Sequence, residues 1–271
     1  MISRLTFCFI LLIASFGLQA QGALEDVIVE PWYTTTAGEL GIENVPDTTT
    51  FTSYRIYIDL AEDYVLQAIF GNRTHALHLG STGTVYNCAT NGVNTGNYID
   101  PRRMTRDNLI LDSFITMKSV SNWHYAVPLE DDHDGSVLCD AEKSDTDHSG
   151  TMAERFCKLE KDGLLKGEPI PVEVILMDLY GWKDSTDSAR ISTNNGAWAV
   201  RQGVVGPTEK NRVLVAQITT DGDIFFEFNL QVNVPSGGPE QYVARDASGN
   251  EELFEKLRYN SHLIPHLSNE P

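Results

Sequence analysis

Asp145-x-Asp147-x-Ser149-Gly150 places three oxygen-bearing side chains at alternate positions ahead of a glycine, as the opening of a calcium loop does. Position 12 of such a loop falls on Phe156 instead of a bidentate glutamate, and Glu154 comes two residues early. Asp132 and Asp134, just upstream, extend the same oxygen-rich stretch, so the expectation is a loose calcium site with Asp132, Asp134, Asp145, Asp147, Ser149 and Glu154 as candidate ligands. His133, Cys139, His148 and Cys157 are zinc-ligand types, but the intervening five, eight and eight residues match no compact ligand pair. Carboxylate pairs such as Asp59 with Glu62, or Glu130 with Asp131, have the chemistry of a glycosidase. Among 38 acidic residues such pairs arise by chance. No Gly-x-Ser-x-Gly elbow, His-Glu-x-x-His helix or phosphate loop occurs.

Aromatic residues are the remaining candidates for recognition. Trp123, Tyr125 and Trp182 are the expected ligand surface, with Trp182, after Gly181 and before a polar stretch, the best placed to stack on a sugar. Trp198 follows Asn194-Asn195-Gly196-Ala197 and is read as core, because so large a ring normally dominates packing. Asn72-Arg73-Thr74 is a glycosylation sequon at a strand end, expected to be exposed.

The chain has a formal net charge of −18 over 271 residues. Nucleic acid and anionic membranes need a basic footprint and are not expected partners. Arg4, the apolar run 5–18 and Leu18-Gln19-Ala20 form the three regions of a secretory signal peptide, with cleavage expected after Ala20. The run is too short for a spanning helix, and no later segment is long and apolar enough to supply one. Removing the leader with Cys8 leaves Cys88, Cys139 and Cys157. In an oxidising compartment two should pair; Cys139 with Cys157, bracketing an acidic loop, is preferred, with Cys88–Cys139 the alternative.

These residues must be positioned by strands. Residues 23–52 read as an extended lead-in with room for one short strand. Tyr54, Ile56, Ile58 and Leu60 alternate with Arg55, Tyr57 and Asp59, the period of a half-buried strand, and 64–70 reads as its hairpin partner across the turn 61–63. Shorter strands are expected at 74–79, 84–87, 108–117, 123–129 and 171–179. Segment 130–168 holds twelve Asp and Glu against five Lys and Arg and is read as a long insertion with a short helix around 152–159, since it has too few large apolar residues for a core of its own. The firmest local expectation is a hairpin of 213–220 and 223–234 about Asp221-Gly222, a pair suited to a type I′ turn. A short surface helix is expected at 251–259 within a C-terminal tail, 236–271. The fold class expected is all-β: an antiparallel sandwich, of jelly-roll type, over 53–235.

Tyr54-Arg55-Ile56-Tyr57-Ile58-Asp59-Leu60, Leu66-Gln67-Ala68-Ile69-Phe70-Gly71, Leu111-Asp112-Ser113-Phe114-Ile115-Thr116, Thr193-Asn194-Asn195-Gly196-Ala197-Trp198-Ala199 and the run from Asn211 through Asp221-Gly222 resemble, in this order, a module of secreted proteins from marine Bacteroidota and some algae. The likeness spans about 52–234. It implies secretion and a β-rich fold, and carries no established activity. Relatives continue into a sorting domain, whereas this sequence stops at Pro271, so covalent surface anchoring is not expected. The expected function is therefore an extracellular binding or structural module, calcium-assisted, for a glycan, a matrix or mineral surface, or a surface protein. The alternative is a secreted hydrolase or lyase acting on polysaccharide with a carboxylate-based site.

Overall fold

A computed structural model describes residues 22–133, 135–138, 151–179 and 189–260. In chain order the strands are β1 (Leu24–Thr36), β2 (Thr50–Leu60), β3 (Val65–Gly71), β4 (Leu77–Ser81), β5 (Phe114–Ile115), β6 (His124–Ala126), β7 (Leu164–Lys166) and β8 (Glu173–Ile175). The second half contributes β9 (Arg190–Thr193), β10 (Gly196–Val204), β11 (Arg212–Thr220), β12 (Ile224–Glu227), β13 (Asn229–Asn233), β14 (Pro239–Val243), β15 (Glu251–Leu253) and β16 (Arg258–Asn260). Two short helices, α1 (Ala37–Leu40) and α2 (Thr151–Phe156), join them. The protein is an all-β sandwich of mostly antiparallel sheets. The first sheet runs β1-β2-β11-β5, the second β15-β14-β13-β3-β10-β8, the third β16-β12-β4-β9, and β6-β7 form a ribbon.

One core is shared by these three sheets. Ile56, Ile58 and Leu60 of β2 meet Leu66 and Ile69 of β3, Leu77 and Leu79 of β4, Phe226 of β12, Leu230 of β13 and Phe228 between those two strands. Trp198 is completely buried there, its ring edge-on to Phe228 at 5.7 Å and its Nε1 donating to the Thr116 carbonyl. The alternation of Ile224, Phe226, Phe228, Leu230 and Val232 thus does aim one row at the core.

The pairing of that segment differs from the sequence expectation. β11 pairs with β2 and β5, whereas β12 pairs with β4 and β16, so Asp221-Gly222 carries the chain from one sheet to another and closes no hairpin. Neither residue has positive φ, which a type I′ turn requires. Gly222 is needed for close approach: a Cβ there would lie 2.2 Å from the Gly83 nitrogen. The turn is locked to the 82–84 loop by Thr84 N donating to Asp221 Oδ1 and by Asp223 N donating to Thr82 Oγ1.

Four other expectations are corrected. The lead-in is the 13-residue β1, paired along β2 from Leu24 to Thr36. β3 does not pair with β2 and joins the second sheet between β13 and β10. Residues 84–87 make only an isolated bridge, Val85 to Thr220. Residues 251–259 form β15, a 3-10 turn at Glu255–Leu257 and most of β16, because Leu257 is drawn into the main core; with β14, three strands occupy the region read as a tail.

β2 is also buried on both faces. Phe51 and Tyr57 belong to a second core with Trp32, Leu40, Leu109–Leu111, Phe114, Phe156 and Leu214. That layer of loops, with α1, α2 and the described parts of the acidic insertion, covers the outer face of the first sheet. Carboxylates pin it: Asp132 Oδ2 accepts from the Asp162 and Gly163 nitrogens at 2.9 and 2.8 Å, and Asp162 Oδ2 accepts from Ser136, Val137 and Leu138.

Candidate functional site

The outer loop layer presents two exposed aromatic rings, Tyr98 at 69% and Trp123 at 46% of full exposure. Each is held by buried neighbours. Tyr98 ends the 3-10 turn Gly96–Tyr98, whose next residue, Ile99, and then Met104 sink into the second core. A Cβ on Gly96 would fall 2.5 Å from the Ser119 carbonyl and 2.7 Å from the Phe114 ring, so glycine lets this turn press against the segment leading to Trp123. The two segments are joined where Asn122 N donates to the Ile99 carbonyl at 3.0 Å. Trp123 N donates to Ser121 Oγ, which also meets His124 Nδ1 at 2.8 Å, while Gly167 N donates to the Trp123 carbonyl at 2.9 Å. The residue before each ring is an asparagine, and the side-chain oxygens of Asn97 and Asn122 are buried without a hydrogen-bond partner.

Two residues beyond Tyr98, Asp100, Arg102, Arg103 and Arg106 line a concavity of about 210 Å3. Asp100 caps the 3-10 turn Pro101–Arg103 by accepting from Arg102 N at 3.0 Å, and takes Arg102 Nε at 3.0 Å and Nη2 at 2.8 Å. These bonds, led by the Arg102 side chain, hold the Asp100 carboxyl below the usual carboxylate range. Arg103 Nη1 donates to Asn91 Oδ1 at 2.7 Å and reaches Asp107 at 3.4 Å. Arg106 approaches Asp107 at 3.7 Å. Three guanidiniums against two carboxylates, Asp100 in the lining and Asp107 behind it, leave a local excess of one positive charge on a strongly acidic chain.

Of the expected ligand surface, Trp123 is exposed, while Tyr125 is half-buried on the ribbon, with Lys118 Nζ 4.3 Å from its ring centre. Trp182 lies outside the described residues, as do Asp134, Cys139, Asp145, Asp147, His148 and Ser149. Asp132 is buried and its Oδ2 serves the backbone; its Oδ1 has no hydrogen-bond partner. Glu154 is exposed on α2. Among the described residues no group of three or more His, Cys, Asp or Glu side chains is arranged to hold a metal. Cys88 is a free, half-buried thiol; Cys139, common to both expected pairings, lies outside the described residues. Asn72 is half-buried, its Oδ1 accepting from Thr74 N, Thr74 Oγ1 and His75 N.

The carboxylates that sequence paired for hydrolysis are largely held by cations. Asp59 and Asp131 both bind Arg212, at 3.0 and 2.9 Å, Glu130 binds the same guanidinium, and Lys210 lies 2.6 Å from Asp131. Sequence reasoning missed Tyr98 and the arginines. Their signal was local: three of the chain's 20 Lys and Arg fall within residues 102–106, behind a capping Asp-Pro pair. No helix among the described residues is long and apolar enough to cross a membrane. No protein-family model, curated protein or solved structure matches the chain.

Proposed function

We propose that this chain is an extracellular carbohydrate-binding module whose ligand lies across Trp123 and Tyr98. The observation that carries the reading is the fixed exposure of these two aromatics on adjoining loops. A flat aromatic face presented to solvent suits the apolar face of a sugar ring, and rigid mounting lowers the ordering cost of binding. The unpartnered oxygens of Asn97 and Asn122 behind them are buried and are acceptors of the kind that an ordered water completes. Secretion follows from the leader-like first twenty residues and from the resemblance described above. Calcium in the 145–149 loop and a Cys139–Cys157 disulfide belong to the same proposal, as stiffening elements of the insertion. Affinity electrophoresis against a panel of soluble polysaccharides tests the reading: retardation by at least one polymer is expected, and mobility unchanged by every polymer would remove it.

A further inference from the structure

We infer that the concavity lined by Asp100, Arg102, Arg103 and Arg106 is a subsite for an oxyanion carried on the sugar, a carboxylate or a sulfate ester; this rests on the carbohydrate reading and names its ligand class. The volume, about 210 Å3, falls short of the roughly 300–1,000 Å3 of sites that enclose a whole small molecule. It suits one charged substituent of a larger ligand lying over the neighbouring surface. Tyr98, two residues from the capping Asp100, and Trp123, tied to Ile99 through Asn122, supply that surface.

The arginines are prepared for the task. A guanidinium offers a fork of N–H donors matched to a planar or tetrahedral oxyanion. Asp100 orients Arg102 through two side-chain bonds, and Asn91 with Asp107 orients Arg103. Arg106 is the least committed: among the described residues its guanidinium reaches only Asp107, at 3.7 Å and without a hydrogen bond. It is 44% exposed, so it can turn onto a ligand without breaking anything buried. The net charge of −18 opposes long-range attraction of a polyanion, and the site must act at contact distance, within a Debye length of about 8 Å at physiological ionic strength.

The test measures affinity of the full chain for matched polymers by calorimetry. These are polygalacturonate and its fully methyl-esterified form, and a sulfated galactan and its desulfated form. Binding of a charged polymer at least tenfold tighter than its neutral counterpart is expected, weakened by added salt, with the favoured pair distinguishing carboxylate from sulfate. Arg106→Ala should cost about tenfold on the charged polymer, the equivalent of one charge-assisted hydrogen bond, and leave the neutral one unchanged. Equal affinity for charged and neutral forms, or an unaltered Arg106→Ala variant with a normal melt, overturns the subsite while the carbohydrate reading stands. Charged polymers that bind through Arg106 but are indifferent to Trp123→Ala would keep the anion site and overturn the aromatic reading instead. Failure of every polymer to bind overturns both.

Discussion

The Arg55 guanidinium sits 3.7 Å from the centre of the Trp32 ring, with both side chains inside the molecule. Arg55 Nε donates to Gln217 Oε1 at 3.0 Å, and Nη1 to the carbonyls of Asp162 and Gly163 at 3.3 and 3.1 Å. One buried cation thus ties β2, β11 and the end of the acidic insertion together, and the Trp32 indole donates to the same Asp162 carbonyl. Removing it strands several acceptors. Arg55→Ala is expected to cost about 3–5 kcal/mol, the range for breaking buried charge networks, in chemical denaturation. A loss below 1 kcal/mol would show that the insertion does not need this anchor.

Glu30 faces Arg55 across the β1–β2 pair, and its Oε1 accepts from Leu129 N at 2.8 Å. Burial pushes its carboxyl above the ordinary value of 4.5, outweighing the Leu129 bond and the Arg55 charge, which pull the other way. The folded protein therefore binds this proton more tightly than the unfolded chain. Stability contributed here falls as pH rises from the ordinary glutamate value to the raised one, and is flat above it. Glu30→Gln should remove that slope, so the variant gains on the native protein over this window in melts taken at successive pH values. A native protein that gains on the variant as pH rises would reverse the assignment.

The Asp221-Gly222 turn offers a steric test. Gly222→Ala places a methyl against the Gly83 backbone, and should destabilise by about 1–3 kcal/mol, as overpacking does. Gly237 has φ of +92° and open space around it, so alanine there should fall below that cost, limited to backbone strain. Urea denaturation of both variants decides; a neutral Gly222→Ala would deny the close approach.

Thiol chemistry separates the cysteines. Alkylation under non-reducing denaturation should label Cys88 and leave Cys157 in a peptide linked to Cys139. Labelling of all three would contradict both the pairing and the oxidising compartment it implies.

The all-β class was legible because period-2 rows such as Ile224 to Val232 report burial of one face, whatever strand lies alongside. Partners were not legible. Asp221-Gly222 suits a hairpin by type, and only the proximity of Gly83, some 140 residues earlier, shows that the glycine serves packing. Arg55 and Tyr57 looked like a solvent row because nothing local announces the second layer, whose Trp32 and Phe156 come from distant segments. Trp123 could be named from its type. The arginine pocket was hidden behind a global charge of −18, which says nothing about where the few cations gather.

Ligand binding rests on Trp123 and Tyr98. Its most direct measurement compares the native chain with Trp123→Ala and Tyr98→Ala by affinity electrophoresis on the polysaccharide panel, with thermal melts alongside. Stacking lost at either ring should weaken binding about tenfold, while melts shift little because both rings are exposed. Undiminished binding in both variants with normal melts, or no binding by the native chain to any polymer, would contradict it.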